Sequence, residues 1–149
     1  MQALNDINDM KEKNNKALIE LLQNMKENLS DTNIQEIGIE TITILAKKKS
    51  SSKQFIHHGG SSVLLNAMNN HNNSVRILWR GCAAIHSLCD YDSFIRLDLG
   101  KQGACQTVFA IYDNRKYPLS LRQQSLFAIA CLCHEGNFSV KIILHSCTK

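Results

Sequence analysis

The 149-residue sequence contains one proline, one tryptophan, and no apolar run approaching the length of a membrane span. A spanning helix needs about 20 predominantly apolar residues, so nothing here is expected to cross a bilayer as a helix. The opening segment, MQALNDINDMKEK, is polar and charged and lacks the apolar core of a secretory signal. Charge of one sign is scarce as well. Seventeen Lys and Arg against thirteen Asp and Glu leave a net +4, too small and too dispersed for a nucleic-acid surface. Six cysteines without a secretory signal point to a reducing, intracellular setting, read as cytoplasmic, with a nuclear or cytoskeletal assembly left open. No GxGxxG, phosphate-binding loop, HExxH or GxSxG pattern occurs, so no cofactor, catalytic metal or hydrolase chemistry is expected. What remains is 44% hydrophobic residues, too apolar for a disordered chain and sufficient for a real core.

That apolar content repeats. Ile34, Gly38, Thr41, Ile42 and Leu45 return 43 residues later as Ile77, Gly81, Ala84, Ile85 and Leu88. A further shift of 44 gives Leu121, Ser125, Ala128, Ile129 and Leu132. Offsets of 4, 3, 1 and 3 keep all five on one stripe of a helix with 3.6 residues per turn. The tiny residue in each row predicts a close approach by a neighbouring helix. A second amphipathic pattern precedes each stripe: Leu21, Leu22 and Met25; Leu64, Leu65 and Met68; Thr107, Val108 and Ile111. Polar turns separate the two, rich in Asn, whose side chains compete for backbone hydrogen bonds. The lone Pro118 sits where a helix can begin without needing its N–H. A third, shorter element leads into Gly59-Gly60 and again into Gly100-Lys-Gln-Gly103. With Gly60 and Gly103 43 apart, glycine is expected to supply the left-handed turn between helices.

A period of about 40–47 residues with two or three helices per unit belongs to HEAT or armadillo arrays. The residues Ile56-His-His-Gly-Gly60, Leu64-Leu65 and Gly81-Cys-Ala-Ala-Ile-His-Ser-Leu88-Cys89 resemble the armadillo repeat, and the resemblance spans residues 17 to 147. It implies an all-α, right-handed superhelix with repeats at 17–49, 50–92 and 93–135 and a partial fourth at 136–147. Residues 1–16, with Leu4, Ile7 and Met10 at spacing three, read as an N-terminal helical cap or arm.

The resemblance also implies a non-catalytic scaffold that binds another protein along its concave face. The face candidates are Glu36, Glu40 and Ile44, then Arg76, Trp79, Arg80, Ala83 and Ser87, then Gln123, Gln124, Phe127 and Cys131. Trp79 lies off the core stripe and reads either as a groove contact, since Trp and Arg are enriched at binding hot spots, or as packing against the long helix of the next repeat. In importin-alpha-like members an Asn ladder precedes the core Leu, with Trp four residues earlier. Here those places hold Ile44, Ser87 and Cys131, and Glu40, Ala83 and Phe127, so recognition of nuclear signals is not implied. The face reads as acidic at one end, basic and aromatic in the middle, and amide-rich at the other. The alternative is a structural subunit that docks, or self-associates, through its incomplete C-terminal repeat, with Phe138, Ile142 and Ile143 as contacts.

Two chemical readings are weaker. Cys131, Cys133 and His134, with His145 and Cys147 downstream, suggest zinc, but residues two apart on a helix point about 200° apart. Cys82 and Cys89 flank His86 at helical spacing, without the orienting group that a nucleophile needs. Lys47-Lys48-Lys49 and Lys53 form the densest basic cluster, read as charge complementing a helix C-terminus.

Overall fold

A computed structural model describes residues 1–48 and 50–134. Among these, the regular structure is helical throughout: α1 (Gln2–Glu27), α2 (Thr32–Ala46), α3 (Ser52–His57), α4 (Gly60–Asn70), α5 (Val75–Tyr91), α6 (Ser93–Lys101), α7 (Ala104–Asp113) and α8 (Leu119–Leu132). The starts are encoded locally. Asp31 Oδ1 accepts the amide of Ile34 at 3.0 Å, and Ser74 Oγ accepts that of Ile77 at 3.3 Å. Asp92 Oδ1 accepts from Phe94 and Ile95. Each satisfies a donor that the first helical turn leaves unpaired.

The short, medium and long helices α3–α4–α5 are followed by α6–α7–α8, so the series predicted from the period recurs. The long helices α2, α5 and α8 pack on one another in that order. α1, α4 and α7 pack in the same sequence and back onto the long helices, while α3 touches α6. Leu22, Met25, Ile42, Leu64, Met68, Ile85, Leu88, Val108 and Leu121 are wholly or almost wholly buried between these rows.

The tiny residues mark the closest approaches. A Cβ on Gly38 would collide with the Met25 side chain, and one on Gly81 would meet Met68 Cγ and Sδ at 2.5 Å. The two pairs are themselves 43 residues apart. In the third row Ile111 is shorter than Met, and Ser125 fits there buried, its hydroxyl donating to the Arg122 carbonyl at 2.7 Å.

The glycine turns correct the sequence register. The left-handed residues are Gly59 (φ 71°) and Gly103 (φ 97°), 44 apart. Gly60 is helical, and its lack of a side chain makes room for the Phe55 ring instead.

Consecutive turns are latched by a hydrogen bond that the apolar pattern does not foretell. The His71 imidazole Nε2 donates to the Leu29 carbonyl at 2.8 Å, and the Tyr117 hydroxyl to the Asn72 carbonyl at 2.5 Å. The acceptors are 43 apart, although the donors are 46 apart and chemically different. Helix C-termini are closed similarly. Buried Gln35 donates to the Met25 and Asn28 carbonyls at 3.0 and 2.8 Å, while Arg122 Nε donates to the Tyr112 carbonyl at 2.8 Å.

The N-terminal segment has no backbone boundary at residue 16, for α1 runs unbroken past it. Burial changes there, not backbone. Leu4, Ile7 and Met10 are exposed, and Leu18 is the first buried residue. The hydroxyl of Ser51 holds Asn15 at 2.9 Å where the helix meets the body.

Candidate partner-binding groove

A hollow of about 570 Å³ opens between α2 and α5. Ile39, Glu40, Thr43 and Ile44 line it from α2, and Trp79, Arg80, Ala83, Ala84 and Ser87 line it from α5. The helical period places them. Ile42, Ile85 and Leu88 turn inward, and residues about a third of a turn away reach this face. Ile44 is 66% exposed and Trp79 44%, so an apolar patch stays open to solvent between two packed helices. Thr43 spends its hydroxyl on the Ile39 carbonyl of its own helix, at 2.9 Å.

The charged candidates pair with each other. Arg76 binds Glu36, Arg80 binds Glu40, and Arg80 also reaches Glu36 at 3.3 Å. The acidic and basic patches read from the sequence are thus one interlocked quartet across α2 and α5. Burial runs opposite ways in the two pairs: the Glu36 side chain is 14% exposed under Arg76 at 71%, whereas Glu40 is 54% exposed and Arg80 20%. At the other end, Lys47 crosses from the end of α2 and donates from Nζ to Ser87 Oγ at 3.0 Å.

Of the α8 candidates, Phe127 is exposed and stands over the His86 ring of α5, 6.0 Å between centroids. Gln123 is exposed and Gln124 half-buried on the same helix, and neither lines the hollow. Phe138, Ile142 and Ile143, the candidates for end docking, lie outside the described residues, as do His145 and Cys147.

The cysteines have a packing character. Burial pushes the thiols of Cys82 and Cys89 up to about 12 and that of Cys105 up to about 11. A nucleophile requires the opposite, a thiol lowered by a nearby cation or base. Cys131 and Cys133, closer to solvent, are also raised, again by burial first. Among the described residues, no three His, Cys, Asp or Glu side chains gather to hold a metal ion.

Residues that sequence reasoning missed are Ile39, Thr43, Ala84 and Lys47 at the groove, and Gln35 at the junction of α1 and α2. Ile39 and Thr43 fall one helical turn apart beside the predicted Glu40 and Ile44, so the spacing contained the signal. Lys47 required knowing that its stem reaches across to α5.

Compared with known proteins, the chain matches no family model, no curated protein and no solved structure. Among the described residues, no helix is long and apolar enough to cross a membrane.

Proposed function

We propose that this chain is an armadillo-type repeat module, a right-handed stack of helical units, that binds a segment of another protein along the face of α2, α5 and α8. The observation that carries this reading is the open apolar hollow between Ile44 and Trp79. Its volume falls within the range of about 300–1,000 Å³ typical of ligand sites. Its sides are backbone-rigid helices, so little ordering entropy is lost when a partner docks. Trp79 and Arg80 are the residue types that dominate interface energies. The function is binding without catalysis, in an intracellular setting. The recurring short, medium and long helices, with Met25 on Gly38 and Met68 on Gly81, support the repeat reading.

The test is selection of peptides from a displayed random library on the purified protein, followed by affinity measurement on the Trp79→Ala/Arg80→Ala variant. Loss of a hot-spot pair is expected to weaken binding by about 2 kcal/mol or more, roughly 30-fold, with helicity unchanged by circular dichroism. Selected peptides that bind the double variant equally well would overturn the groove.

A further inference from the structure

We propose that the groove selects an acidic segment, one that seats a large apolar side chain between Ile44 and Trp79 and sets a carboxylate against Lys47. This rests on the reading of the hollow as a protein-binding site and adds the chemistry of what it binds.

The charge arrangement carries the inference. In the quartet two carboxylates meet two guanidinium groups, so that end of the groove is neutral in sum. An incoming cationic side chain finds Glu36 covered by Arg76 and Arg80, and Glu40, the half-exposed carboxylate of the hollow, already bound by Arg80, so it would compete with those guanidinium groups. The outward member at that end is Arg76, mostly exposed, with the carboxylate beneath it. At the other end Lys47 hydrogen-bonds Ser87 and forms no ion pair with a carboxylate of the described residues. Lys48 and Lys53, both exposed, come after it in the chain, and the whole sequence carries +4. Asp90, the acidic residue of α5, lines a separate hollow together with Arg96. A partner approaching the apolar patch therefore meets Lys47 at one end and, at the other, an ion-pair quartet that is neutral in sum, with Arg76 and Glu40 its exposed members.

Recognition through side chains is also what the groove can offer. Thr43 is committed to its own helix, and Ser87 already accepts from Lys47. A row of amides for an extended backbone is missing on this part of the face, where Ile44, Ala83 and Ser87 stand. Apolar insertion supplies affinity, and exposed cations supply steering and choice of partner.

The probes are three degenerate peptide pools: a central Phe or Leu flanked by Asp and Glu, the same centre flanked by Lys and Arg, and a Gly centre flanked by Asp and Glu. Binding is tracked through Trp79, the single tryptophan of the chain. The acidic pool with the apolar centre should bind about tenfold tighter than either other pool, and raised salt should erase the charge preference. The Lys47→Glu/Lys48→Glu variant should remove that preference while retaining apolar binding. A basic pool that binds as well, or an acidic preference that survives the lysine changes, would overturn the inference and leave the groove standing. An acidic pool that binds equally well with Gly at its centre would also overturn it. If no pool perturbs Trp79, the groove reading itself fails.

Discussion

Gly81 and Met68 touch with no room for a methyl group: a Cβ on Gly81 would lie 2.5 Å from Met68 Cγ and Sδ. α4 and α5 therefore meet at a distance set by a missing side chain. Gly38 and Met25 repeat the contact one unit earlier, between α1 and α2.

Replacing Gly81 with Ala gains about 1 kcal/mol of helix propensity but forces a packed core apart, which costs about 1–3 kcal/mol. The expected net effect is destabilisation. Gly100→Ala is the contrast, since nothing lies within 4 Å of a Cβ there. It should be neutral or stabilising by up to about 1 kcal/mol. Urea unfolding of both variants checks the pair, and a stabilised Gly81→Ala would contradict the packing.

Much of this contact was legible in the sequence, because a tiny residue recurring on an apolar stripe has few other uses. The capping and latching residues were not. Gln35, Leu78 and Arg122 share one position of the repeat, yet Gln35 and Arg122 close helix ends while Leu78 packs. His71 and Tyr117 perform one task with different side chains at a spacing that departs from the period. The groove was legible as a face but not as a charge pattern. Spacing assigned Glu36 and Arg80 to that face, and only the packing of α2 on α5 brings them together.

Gln35→Glu should be among the most damaging single changes. It exchanges a buried amide donor for a carboxylate facing the Met25 and Asn28 carbonyls. Leaving buried polar groups unpaired costs about 1–3 kcal/mol, and more for a charged group. Tyr117→Phe, which deletes one hydrogen bond to the exposed Asn72, should cost about 0.5–1 kcal/mol. Thermal unfolding should rank them in that order.

The ion-pair quartet should be energetically coupled. A double-mutant cycle on Glu36 and Arg80 is expected to give about 1 kcal/mol, since both side chains are largely buried. The same cycle on Lys16 and Glu20, exposed on α1, should give at most about 0.5 kcal/mol and vanish in high salt. Equal coupling in the two cycles would contradict the partial burial of the quartet.

The buried thiols fix a direction for alkaline stability. The unfolded chain releases their protons near pH 9, whereas folding holds them to about 11 for Cys105 and about 12 for Cys82 and Cys89. Their contribution is fully present below about pH 9 and is lost progressively as the pH rises from there through 11 to 12. The urea midpoint of wild type should fall across that window, and more gently in Cys82→Ala. Iodoacetamide at pH 8 should label these three thiols slowly, at rates that rise with urea.

The most direct measurement is the emission of Trp79 during titration with a peptide selected on the purified protein. Trp79 is 44% exposed beside Ile44, so an occupant of the hollow must take it out of water. Binding in the groove predicts a blue shift and protection from acrylamide quenching that saturate together with complex formation, both lost in Ile44→Ser. A peptide that binds while Trp79 emission and quenching stay unchanged would contradict it.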